Sequence, residues 1–148
     1  MKAYYRCTPD VNKYKDFEWS RSLDSCLKDF RPGKKADPGW TPPILPWYKD
    51  RRKPGDFPHN PFGTYCPVFS ERAWESLRPL IGESVQPIPI KADDGGSYIL
   101  VNVFDVVDCL DREHSKVEFW PGGSVNSVLR YVFRESALQN KHFFRIPE

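Results

Sequence analysis

The chain has few of the residues from which catalytic and metal centres are built. Its 148 residues include 3 histidines, 4 cysteines and 1 methionine. Cys7, Cys26, Cys66 and Cys109 are widely spaced and contain no Cys-x-x-Cys pair, so the ligand spacing of a structural zinc site is absent. His59, His114 and His142 are equally scattered, and no serine or cysteine stands in a Gly-x-Ser-x-Gly elbow. A spatial triad of Cys66, His59 and an aspartate stays open, because such groups need not be neighbours in sequence. There is no phosphate-cradling glycine loop and no dinucleotide fingerprint, and no cofactor is expected. Apolar runs of signal-peptide or bilayer-spanning length are also missing. The expectation is a soluble, cytoplasmic protein whose thiols stay reduced and serve as small buried hydrophobes.

Aromatic residues and prolines are abundant instead. A chain of this length buries roughly two-thirds of its unfolded surface on folding, enough for one core. The 22 Phe, Tyr and Trp residues supply large apolar areas to fill it. One domain over residues 1–148 is therefore expected. The 15 prolines exceed an average share of about 5%. Many of them fall between residues 32 and 67, in KKADPGWTPPILPWYKDRRKPGDFPHNPFGTYCP and the Pro32 before it. Proline that often excludes regular helix and central strand. A free tether would be polar, yet this stretch carries Trp40, Ile44, Leu45, Trp47, Tyr48, Phe57, Phe62 and Tyr65. It reads as a long arm laid on the domain with its aromatics docked at the core edge. The alternative is a polyproline II ligand, built on Pro43-Ile44-Leu45-Pro46, for an aromatic groove on another protein.

Local patterns give the remaining elements. Ala3–Cys7 alternates weakly, as a short strand would. Ser20–Phe30 places Leu23, Cys26, Leu27 and Phe30 at helical spacing, capped by Ser20 or Ser22 and ended by Arg31-Pro32-Gly33. Ser70 is a good N-cap for a helix from about Glu71 to Arg78, with Trp74, Leu77 and Ile81 on its apolar face. Pro79 should tighten or end the last turn, and Gly82 can take the left-handed conformation beyond it. Val85–Ile90 is extended, but Pro87 and Pro89 remove ladder donors from one side, so it belongs at a sheet edge. Asp93-Asp94-Gly95-Gly96 turns the chain into Ser97–Phe104, whose apolar residues populate both faces and predict a central strand. Asn102 then needs a hydrogen-bond partner. Lys116–Trp120 reads as a strand, Pro121-Gly122-Gly123 as a turn and Val125–Arg134 as a further extended run. Glu135–Asn140 reads as one helical turn and His142–Ile146 as a terminal strand. The fold class is α+β: a mostly antiparallel sheet, a few short helices and the proline-rich arm.

Charge divides the chain. Residues 1–66 hold 13 Lys or Arg against 8 Asp or Glu, a net of +5, and residues 67–148 hold 9 against 12, a net of −3. Such asymmetry suits an electrostatically steered protein partner or a basic arm on nucleic acid. Between Lys91 and Glu118 lie seven acids and three bases, a net of −4. Asp105, Asp108 and Asp111, followed by Glu113 and His114, form the densest set of potential metal ligands, but the calcium-loop pattern is missing. Turn-capping aspartates and solvated acids are the structural reading of that set, and a metal-dependent hydrolase is the catalytic one. Lys49, Arg51, Arg52 and Lys53, beside Trp47 and Tyr48, are the best candidate for nucleic-acid contact, with a solvated basic turn as the structural reading. The pI of about 8.3 falls short of a dedicated nucleic-acid binder.

The runs VFSERAWESLRPLI, VQPIPI, SYILVNVFDVVDCLDREHS and FRESALQNKHFFRI, within residues 67–148, resemble the eleventh immunity-protein family of bacterial polymorphic toxin systems. The resemblance implies a small, non-enzymatic cytoplasmic protein that binds and neutralises a secreted toxin encoded beside it. It carries over no active-site residues. The arm within residues 1–66 follows no family pattern, which makes it a candidate for partner choice. Family members often continue with another helix and strand past the position of Glu148, which leaves two expectations open: a complete domain, or closure by another route such as oligomerisation. Occlusion of the toxin site would use the acids Asp93, Asp94, Asp105, Asp108, Asp111 and Glu113 if that site is basic. It would use Trp47, Arg51 and Arg52 if it is acidic.

Overall fold

A computed structural model describes residues 10, 13–18, 34–49, 52–60, 62 and 66–147. The strand expected at 3–7, the helix expected at 20–30, and Cys7, Cys26 and Arg51 lie outside these residues. The chain divides into two compact units, one ending at Phe104 and one beginning at Asp105.

The first unit is built on a three-stranded antiparallel sheet. Its strands are β1 (Val68–Ser70), β2 (Val85–Lys91) and β3 (Ser97–Val103), in the order β1-β3-β2. β3 is central, as its two-sided apolar pattern requires, and β2 is an edge, as Pro87 and Pro89 require. The register sets Ile88 opposite Leu100 and Ile90 opposite Tyr98. The turn between β2 and β3 needs a residue at positive φ, and Gly95 supplies it at 87°. β1 was not expected, since three residues carry no period of their own and only β3 makes them a strand.

Helix α1 (Glu71–Ile81) follows β1 without a break. The Ser70 hydroxyl accepts from the Ala73 amide at 3.1 Å, satisfying one of the open donors of the first turn. The same hydroxyl donates to Asp56, whose other oxygen accepts from Arg72. Ala73 and Ile81 are buried, and Trp74 and Leu77 are half-buried on the same face, which packs toward β1 and β3. Two details differ from expectation. The helix runs past Pro79 to Ile81, because a proline so near the end forfeits one bond and no more. Gly82 then takes a right-handed φ of −56° and opens a 3-10 turn, Gly82–Ser84, so no left-handed cap forms.

The hydrogen bonds of Arg72 and then Ser70 hold the Asp56 carboxyl below its ordinary value. A folded-state pKa below that of the unfolded chain adds stability above about pH 4, lost as pH falls through the lower folded value. Ser70→Ala is expected to cost about 1 kcal/mol at neutral pH. Asp56→Asn should flatten the acid side of the stability curve, measured by urea titration between neutrality and pH 2. An acid limb unchanged in Asp56→Asn would remove this cap from the account.

The arm is docked, not tethered. Leu45 is 0% exposed, Trp47 5% and Phe62 5%, and they join Phe17, Cys66, Val68, Ile88, Ile90, Tyr98 and Leu100 in one cluster. Leu45 donates its amide to Lys91 O at 2.8 Å and accepts from the Asp93 amide at 3.0 Å, which prolongs the β2 edge with arm backbone. Pro43–Pro46 is therefore consumed by the fold and is not presented as a polyproline II ligand. Asn102, at 0% exposure, has the partners its burial demands: it donates to Lys34 O at 2.6 Å and to Gln86 Oε1 at 3.3 Å.

The second unit contains a two-stranded hairpin, β4 (Lys116–Phe119) and β5 (Val125–Arg130), and a 3-10 turn at Glu135–Leu138. Its buried residues are Cys109, Leu110 and Leu138. The extended run expected to Arg134 stops at Arg130 as a strand; beyond it Phe133 makes one bridge with Leu110. The terminal strand expected at His142–Ile146 is likewise reduced to one bridge, Arg145 with Val106, where Arg145 donates to Asp105 O at 3.0 Å and accepts from the Val107 amide at 2.9 Å. Among the described residues no helix is long and apolar enough to cross a membrane.

Candidate functional site

The acids singled out from the sequence are mostly engaged inside the fold. Asp93 and Asp94 sit in the β2–β3 turn, where Asp94 Oδ1 also accepts from the Gly96 amide. Both reach across to the arm. Asp93 Oδ1 accepts from the Trp47 amide at 3.3 Å, and Asp94 Oδ2 accepts from the indole Nε1 at 2.9 Å. Trp47 is stacked on Phe17 at 4.0 Å and meets Tyr98 edge-on at 5.5 Å. These three candidates therefore fasten the arm to the sheet, and the ring of Trp47 is not presented to a partner.

In the second unit the three aspartates point to three different partners. Asp105 pairs with Lys141 at 2.9 Å and Asp108 with Arg134 at 3.3 Å. Asp111 accepts from the amides of Glu113 and His114, both at 3.1 Å, and faces His114 Nδ1 at 2.8 Å. The His114 contacts hold its carboxyl below the usual range. Glu113 is exposed. Among the described residues no three His, Cys, Asp or Glu side chains gather as metal ligands, so the aspartates act as turn caps and ion-pair partners. Cys66 is 0% exposed and lies inside the first unit's core, its sulfur 3.7 Å from Asn102 Oδ1. A nucleophile there has no open approach for a substrate.

Arg52 pairs with Asp16 at 3.4 Å, with both side chains partly covered. Of the basic segment, Lys49 and Lys53 remain exposed.

The most exposed large apolar groups of the second unit sit on or beside the β4–β5 hairpin. Phe119 and Trp120 are each 58% exposed and Leu129 is 54%. The register explains why. Val117 faces Val128 and Phe119 faces Val125, the register shifting by one residue between Lys116 and Val117 and again between Glu118 and Phe119, and these pairs give the hairpin an apolar face. Lys116 faces Arg130 and Glu118 faces Ser127 on the other, where Ser127 Oγ donates to Glu118 at 2.8 Å. A two-stranded sheet is marginal alone, and here its apolar face carries Phe119 largely open to solvent. Gly123, at φ 83°, closes the hairpin and leaves Trp120 at its end. Sequence reasoning placed these residues in a strand but missed their role. The signal was present in the alternation of Val117 and Phe119 with Lys116 and Glu118.

The arrangement suits contact chemistry: an amphipathic hairpin with aromatic tips, and aspartates tied up in pairs and caps. Neither the protein-family models nor the characterised proteins yield a match to this chain.

Proposed function

We propose that this chain is a non-enzymatic immunity protein that binds a cognate bacterial toxin in the cytoplasm of the producing cell and occludes its active site. The observation that carries the reading is the apolar face of the β4–β5 hairpin, with Phe119 and Trp120 as exposed aromatic anchors. Buried aromatics dominate the energy of protein interfaces, and a soluble chain that leaves two adjacent rings open bears a cost that binding would remove. The resemblance of residues 67–148 to an immunity family supports the same role. The sharing of aspartates among separate structural partners favours it over a hydrolase. Burial of the Trp47 ring favours it over base stacking by a nucleic-acid module.

The test is protection. The chain, co-expressed with the toxin encoded beside its gene, should rescue growth and co-purify with it at equal stoichiometry. Charge reversal at Asp108 and Asp111, compared with reversal at Arg51 and Arg52, should weaken the complex in one case only. Growth arrest despite expression of the folded chain would contradict the proposal.

A further inference from the structure

Two segments far apart in sequence meet on the first unit. Phe17 bridges Trp47 antiparallel, Tyr48 donates its amide to Asp16 O at 2.8 Å, and Glu18 donates to Pro46 O at 2.7 Å. Tyr14 bridges Lys53, and Lys15 donates its amide to Lys53 O at 3.1 Å. The contact is close: a side chain on Gly55 would place its Cβ 2.6 Å from the Tyr14 ring, so only glycine fits beneath it. The meeting brings Lys13 and Lys15 to the neighbourhood of Lys49 and Lys53. Lys15 and Lys53 are joined directly by that backbone bond.

Like charges across paired strands are destabilising, so packing gives no reason for this grouping. Asp16, the acid between them, is taken by Arg52. Among the described residues no carboxylate pairs with the ammonium of Lys13, Lys15, Lys49 or Lys53. Two of the ammonium groups are steadied by rings instead: Lys13 Nζ lies 5.1 Å from the Tyr14 centroid and Lys15 Nζ 5.8 Å from that of Trp47. Beside them the outer side of the arm exposes Ile44 at 67% and Tyr48 at 55%, while the alternate residues Leu45 and Trp47 point into the core.

We infer that segments 13–18, 44–49 and 52–53 together form a lysine platform that receives an acidic, partly apolar segment of the protein partner. This rests on the binding role proposed above and names the chemistry of the partner. Cations held in place before contact lose little freedom on binding, and their summed field steers an acidic partner toward them. Ile44 and Tyr48 offer the apolar contact that such a segment uses. A nucleic-acid strand fits less well. The Trp47 ring is inside and the Tyr14 ring is packed on Gly55, so neither is presented for base stacking.

The experiment is fluorescence anisotropy on the full chain with three labelled probes. They are a synthetic peptide alternating glutamate with leucine and tyrosine, the same peptide with lysine for glutamate, and a single-stranded oligonucleotide. The glutamate peptide should bind in a salt-dependent way and the lysine peptide should not. The triple variant Lys13→Glu, Lys49→Glu, Lys53→Glu should weaken that binding by about tenfold or more. Its melting should stay unchanged, because these three side chains are exposed. Lys49→Gln with Lys53→Gln, a milder change, should weaken it in the same direction, and Phe119→Ser should leave it intact. An oligonucleotide that outcompetes the glutamate peptide, or peptide binding that is absent or indifferent to the lysine variants, would overturn the platform. Toxin neutralisation surviving that result would leave the immunity reading standing. Failed neutralisation with intact peptide binding would remove the immunity reading and keep the platform.

Discussion

Replacing Trp47 with alanine is expected to lower the stability of the unit ending at Phe104 by about 3–5 kcal/mol, a large share of what holds a domain together. The loss has three parts. The first is apolar area, since the ring is 5% exposed and filled against Phe17, Leu45 and Tyr98. The second is the stack on Phe17 and the edge contact with Tyr98, worth more than area alone. The third is the indole bond to Asp94, whose loss leaves that carboxylate at the turn without its far partner. Trp47→Phe separates them: it keeps a ring in the cluster and deletes the bond, and should cost about 1–2 kcal/mol. Denaturant unfolding followed by near-ultraviolet circular dichroism measures both. A cost for Trp47→Ala no greater than that for Trp47→Phe would mean that the arm is not part of the core.

Asn102→Leu is expected to destabilise by about 2–3 kcal/mol although leucine has the same branched heavy-atom skeleton and is more apolar. The side chain is wholly buried in the central strand and bonds to the backbone of Lys34 and to Gln86. Gln86 in turn accepts from the Ala36 amide at 2.6 Å and donates to Ala36 O at 3.3 Å. Asn102 thus organises the tie between the sheet and the start of the arm. Its replacement strands buried acceptors, and the amide of Ala36 should exchange with solvent much faster than in the parent chain. Unchanged exchange at Ala36 would contradict the assigned role.

What the sequence revealed was local. The Ser70 cap rests on a contact three residues long, the β2 edge on prolines two apart, and the Gly95 turn on adjacent small and acidic residues. The docking of the arm was legible because Trp and Leu are misplaced in a free tether. What escaped was set by distance. Trp47 is separated from Asp93 by 46 residues, and nothing in either neighbourhood says that the acids of the turn and the ring of the arm meet. Residues that looked like an exposed contact surface became internal fasteners for that reason. The same holds for the candidate site: Lys13 and Lys15 join Lys49 and Lys53 only through tertiary pairing. β1 and the reduced strand at His142–Ile146 fail in opposite directions for one cause, since a strand exists only where a partner ladder does.

The central claim is that the chain works by contact, through the apolar face of the β4–β5 hairpin. The most direct measurement is a calorimetric titration of the proposed toxin partner, purified as the product of a neighbouring gene, with the parent chain and with the Phe119→Ser, Trp120→Ser variant. The account predicts a tight complex of one to one and a loss of about 100-fold or more in affinity for the variant, with the variant still folded because both rings are more than half exposed. No heat of binding with the parent chain, or equal affinity for the folded variant, would contradict it.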